Sequence, residues 1–122
     1  MFVFDTTNRK SPRFEVFPCI EKQLETFQSH VKGNISILPH KDGFNAPFVA
    51  YASDTGLIDG HASNFLSHGT LVHLGFMSEL GLHFGNVVLT GQTNGEARAL
   101  TKTEKKQVLM SVKKYHREMD NM

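Results

Sequence analysis

Between Gly60 and Gly95 the sequence carries a single charged side chain, Glu79, although charged residues make up 20% of the chain. A neutral run of that length has to be covered by the fold itself, by a partner subunit or by a ligand. The histidines His61, His68, His73 and His83 and the aromatics Phe65, Phe76 and Phe84 fall inside it, and the stretch Thr55 to Leu66, TGLIDGHASNFL, leads into it. The run ends on Asn94-Gly95, the pair that best accepts positive φ at both central positions of a type I′ turn. A β-hairpin of Gly85–Thr93 with Glu96–Leu100 is therefore expected. Its two-residue loop sets Thr93 opposite Glu96, Gly91 opposite Arg98 and Leu89 opposite Leu100. Arg98 then extends over a glycine, with no side chain to block it.

At 122 residues the chain has the length of one domain, enough to bury roughly two thirds of the surface its unfolded form exposes. Thirteen Lys and Arg against twelve Asp and Glu leave a formal charge of +1. That field is too weak to hold nucleic acid or an anionic membrane by charge alone. Cys19 is the only cysteine, which excludes an internal disulfide and a cysteine-built zinc cage and fits a reducing compartment. Asp5 arrives too early for a secretory apolar segment, and no stretch approaches the roughly 20 apolar residues of a membrane span. A cytoplasmic protein, within a host cell, is the expectation.

Along the chain, Phe2–Phe4 and Phe14–Phe17 read as a loose strand pair, the second ended by Pro18. From Cys19 to Val31 the apolar residues Ile20, Leu24, Phe27 and Val31 recur at helical steps with Glu21, Lys22, Glu25 and Gln28 opposite, and Gly33 is placed to stop that helix. Asn34–Leu38, closed by Pro39, reads as an edge strand, and Phe48–Ser53 as another strand. Leu71–Leu80 reads as a short helix ending at Gly81, although Gly75 weakens it by roughly 1 kcal/mol against alanine. Thr101 and Glu104 form a capping box for a last helix whose apolar face is Val108, Leu109, Val112, Tyr115 and Met119, the opposite side being basic. The order of elements predicts one α+β domain: a small, mostly antiparallel sheet of five to six strands, with helices gathered on one face or end.

These pieces resemble a family of small domains of unknown function encoded by phages and conjugative plasmids. The resemblance rests on Gly33-Asn34-Ile35-Ser36-Ile37-Leu38-Pro39, the Gly56-Leu57 to Asn64 turn, Gly85-Asn86-Val87-Val88-Leu89 and Leu100-Thr101-Lys102-Thr103-Glu104. The family turn often continues Asn-Arg where this chain has Asn64-Phe65. More distantly, the arrangement is similar to phage proteins that sequester the cyclic nucleotide signals of bacterial immunity, such as the Thoeris anti-defence sponges. That likeness implies a homo-oligomer that binds its ligand at subunit interfaces without cleaving it.

A nucleotide signal presents base faces, ribose hydroxyls and phosphates, so its binder needs an aromatic or apolar slot, short polar side chains and cations. Phe65 is the candidate for stacking, and Asn64, Asp59 and His61 are candidates for hydroxyls and base edges. Arg98 and a cation of the last helix are candidates for phosphate. Each residue also has a structural reading: Phe65 as core, Asn64 as a cap, Arg98 paired with Glu96 or solvent. The histidine spacings of seven, five and ten match no standard ligand pair, so no metal or other cofactor is called for. Asp54-Thr55-Gly56 is the tripeptide of dimeric aspartic proteases, but the residues around it lack that site's apolar setting, and a turn-initiating Asp explains it. The leading expectation is a non-enzymatic phage or mobile-element protein that sequesters a nucleotide-derived signal; an interaction module gripping a host defence protein is the alternative.

Overall fold

The computed structural model describes residues 1–77 and 81–121. The elements run β1 (Phe2–Phe4), β2 (Arg13–Phe14), α1 (Gln23–Val31), β3 (Ile35–Ile37), β4 (Phe48–Ser53), α2 (Phe65–His73), β5 (Val87–Thr93), β6 (Glu96–Arg98) and α3 (Lys102–Asp120), with 3-10 turns at Ile20–Lys22 and Gly43–Asn45. This is an α+β fold. Its six-stranded sheet follows the order β2-β1-β5-β4-β3 with every described pair antiparallel, and β6 pairs with β5 off that path.

The strand period of two divides the core between the faces of the sheet. Phe2, Phe4, Phe48, Ala50, Ala52, Val87 and Leu89 point to one side, where they meet Leu66 and Leu71 of α2 and Val108 and Val112 of α3. Val3, Val49, Tyr51 and Val88 point to the other, where Phe27 and Val31 of α1 cover them. The helices thus cover both faces, α1 on one and α2 with α3 on the other, instead of gathering on one as the element order suggests. β4 and β5 are buried on both sides, which is why Phe48–Ala52 and Val87–Leu89 read as apolar runs.

The hairpin turn forms as its residues require, Asn94 at φ 53° and Gly95 at φ 88°. Thr93 faces Glu96 and Gly91 faces Arg98. Leu89 does not pair with Leu100, because β1 occupies that edge of β5 and sets Phe2 opposite Leu89. The Arg98 guanidinium carbon lies 3.0 Å from where a Cβ on Gly91 would stand, as the missing side chain permits. β3 is an edge strand, and β2 is only two residues long, ending at Phe14 rather than Phe17.

Three local expectations are corrected. α1 ends on Lys32, which takes the left-handed conformation at φ 61° and donates its N–H to Gln28 O at 2.8 Å. Gly33 instead lets Ser53 approach closely, its would-be Cβ being 3.3 Å from Ser53 Oγ. The central helix spans Phe65–His73, not Leu71–Leu80; Gly75 at φ 98° lies beyond its end, and Ser78–Leu80 fall outside the described residues. On α3 the capping box is complete, yet Leu109 and Met119 stand about half exposed, and the buried face runs through Glu104, Val108, Ser111 and Val112. The neutral run is largely covered by the fold itself, since it supplies α2 and β5; Phe65, Val72 and Met77 remain exposed.

Candidate functional site

Asn64, 3% exposed, caps α2: its Oδ1 accepts the Ser67 N–H at 3.1 Å, and its Nδ2 donates to Phe4 O at 2.8 Å and Gly85 O at 2.9 Å. That one side chain joins the start of α2 to β1 and to the approach to β5. Phe65 follows with its ring 55% exposed, beside a small hollow of about 180 Å³ shared with Arg9, Tyr115 and Met119. His61 packs on Gly85, its Nδ1 2.7 Å from where a Cβ would be; that nitrogen is buried without a hydrogen-bond partner among the described residues. Asp59 is exposed and accepts the Thr55 hydroxyl at 2.6 Å. Asp54 stands exposed in the turn after β4, its N–H donating to Asn34 O at 3.1 Å.

Arg98 is elsewhere. Its guanidinium grips both oxygens of Glu104 at 2.7 and 2.9 Å and donates through Nε to Thr93 Oγ1 at 2.9 Å. These bonds hold the Glu104 carboxyl below its ordinary range, the Arg98 hydrogen bond being the largest cause. Glu104 also closes the cap of α3, so Arg98 fastens β6 to the helix that follows it. Phe65 lies near Tyr115, so about 16 Å of α3 separates it from the Arg98–Glu104 pair. Asn64, Phe65 and His61 are neighbours; Arg98 does not join them.

The central histidines take structural and lining roles. His83 Nδ1 lies 2.8 Å from Ser67 Oγ, which also donates to Asn64 O at 3.1 Å. An imidazole N–H donating to the hydroxyl satisfies both contacts. Burial, with His68 edge-on at 5.3 Å, lowers the pKa of His83 to about 4, so the ring is neutral at pH 7. A serine beside a histidine at this distance matches a nucleophile and its base, but Ser67 is 0% exposed and cannot reach a substrate. Among the described residues no three His, Cys, Asp or Glu side chains group to hold a metal ion, and no helix is long and apolar enough to cross a membrane.

A larger concavity of about 670 Å³ opens where the end of α2, the entry to β4 and the second half of α3 meet. Phe48, Leu74, Pro47 and Met110 give it apolar surface, and His40, His73, Gln107 and Ser111 line it with polar groups. Lys113, Lys114 and Arg117 stand along its α3 side, exposed and in no ion pair among the described residues. The volume lies within the range of small-molecule sites.

Two contacts shape its walls. His40 Nδ1 accepts the Asp42 N–H at 3.0 Å, so Nε2 carries the proton and donates to Leu74 O at 2.8 Å. This bond ties the loop before β4 to the turn after α2, where Gly75 leaves room for the ring. The Tyr115 ring packs directly on Gly69, so α2 and α3 approach closely beside the concavity. Cations in the last turns of a helix offset its dipole without any ligand. That reading does not account for three of them bordering one hollow with an apolar floor.

The sequence carries a signal for this wall: Met110, Lys113, Lys114 and Arg117 lie at i, i+3, i+4 and i+7, one stripe of α3. Nothing in the sequence shows that His40, Phe48 and His73, distant along the chain, close the other side. No protein-family model, no curated protein and no solved structure matches this chain.

Proposed function

We propose that this chain is a phage or mobile-element protein that counters host defence by binding a nucleotide-derived signal, of cyclic nucleotide or cyclic ADP-ribose type, and holding it without catalysis. The observation that carries this reading is the groove of about 670 Å³, with apolar surface from Phe48 and Leu74 on one side and the α3 stripe of Met110, Lys113, Lys114 and Arg117 on the other. A nucleotide needs that pairing, an apolar bed for the base and cations for phosphate. Phe65, exposed beside its own smaller hollow, remains available for a second contact in an assembled oligomer, and Val72 and Met77 are exposed apolar residues through which copies would associate.

Titration calorimetry against a panel of cyclic oligonucleotides and cyclised ADP-ribose isomers tests the reading, with recovery of the ligand afterwards. Binding of at least one member, released unaltered, supports sequestration; silence across the panel discards it. A second reading, an interaction module for a host defence protein, draws on the loop after β4, where Leu57 is 67% and Ile58 85% exposed. A host partner that co-purifies through that loop, with no small-molecule binding, favours it.

A further inference from the structure

The groove carries its own anion at the rim. His73, the last residue of α2, lines the groove with its side chain 16% exposed, and its Nε2 lies 3.1 Å from Glu118 Oε2 on α3. An ionised carboxylate only accepts, so Nε2 is the donor. Glu118 is adjacent to Arg117 and one helical turn beyond Lys114, yet it reaches across to the histidine. Its i−4 partner Lys114 lies on the N-terminal side, the weaker orientation for a helical ion pair. The three groove cations are thereby left without an ion-pair partner among the described residues.

We infer that Glu118 is a specificity-determining residue, holding the His73 donor until an anionic ligand displaces it and takes the same Nε2–H. This rests on the proposed function of the groove and adds a rule of selection: a ligand is retained only if it brings an acceptor that outcompetes a carboxylate. A phosphate oxygen meets that condition because Lys113, Lys114 and Arg117 stand beside it, whereas a neutral nucleoside brings no charge to exchange. The displaced carboxylate is 53% exposed and passes into water without a burial penalty. A contact so exposed is weak, and removing it shifts affinity by only about two- to fivefold.

The test compares ADP and adenosine by calorimetry on the full chain, as wild type, Glu118→Gln and His73→Gln. The inference expects Glu118→Gln to tighten ADP about two- to fivefold and to leave adenosine unchanged, and His73→Gln to weaken ADP and to cancel the effect of Glu118→Gln in the double variant. Unchanged or weakened ADP binding in a folded Glu118→Gln protein overturns the inference while the groove reading stands. An equal gain for adenosine also overturns it, because the carboxylate would then act by bulk. If neither ADP nor any member of the nucleotide panel binds wild type, the inference and the groove reading fall together. Melting temperatures within a degree or two of wild type show that each variant is folded.

Discussion

Replacing Gly69 with alanine will reveal how far the packing of α2 on α3 depends on the close approach at Tyr115. A Cβ at that position collides with the Tyr115 ring, and overfilling a packed interface costs about 1–3 kcal/mol. Alanine in place of glycine inside a helix returns about 1 kcal/mol, so the net loss in the wild-type background is about 0–2 kcal/mol. Once Tyr115→Ala removes the ring, the same substitution stabilises by about 1 kcal/mol. The cycle therefore yields a coupling of about 1–3 kcal/mol between the two positions. Urea denaturation followed by circular dichroism on the four proteins measures it. A gain of about 1 kcal/mol from Gly69→Ala in both backgrounds, with no coupling, refutes the packing on which the shape of the groove depends.

Acid will destabilise the protein before its carboxylates titrate. His83 has a folded pKa of about 4 against an unfolded value near 6.5, so the unfolded chain takes up the proton first. Stability present above about pH 6.5 is then lost progressively as the pH falls to about 4, by on the order of 2–3 kcal/mol. Urea midpoints measured across that range will slope for wild type and flatten for His83→Asn. Glu104→Ala removes both a helix cap and the Arg98 clamp and should cost about 2–3 kcal/mol, whereas Thr101→Ala removes the cap alone and costs about 1 kcal/mol; equal losses in thermal or urea unfolding contradict the clamp. Asn64→Ala strips a cap and leaves the Phe4 and Gly85 carbonyls without their donor, a loss of about 3 kcal/mol. If that variant keeps full stability but loses ligand, Asn64 is a binding residue and not a fastener.

Local rules carried much of the fold. Asn94-Gly95 fixes the first rungs of its hairpin because a two-residue loop leaves no other register, and Thr101 with Glu104 marks a helix start through its own backbone donors. The same logic failed at Leu89, whose neighbour is decided by β1, a segment far away in sequence. The apolar steps Val72, Phe76 and Leu80 point to a helix that runs through Gly75, whereas α2 ends at His73 and begins at Phe65. Only the packed fold shows that Gly69 admits the Tyr115 ring while Gly75, at positive φ, lies past the helix end. Asn64 has two readings in the sequence, ligand contact and cap, and the fold displays the cap. Arg98 was expected over Gly91 and is there, but the partner that holds it is Glu104, which the hairpin alone does not bring near. The groove was the least legible part: its cations look like any solvated helix face until His40, Phe48 and His73 arrive from the loop before β4, from β4 and from α2.

Mapping backbone amide shifts on titration with a cyclic ADP-ribose isomer tests the location of binding most directly. The account predicts changes concentrated at His73, Leu74 and residues 107–117, with residues 59–64 and Arg98 little affected. Changes centred on residues 59–64 and Arg98, with the α3 wall silent, would contradict it.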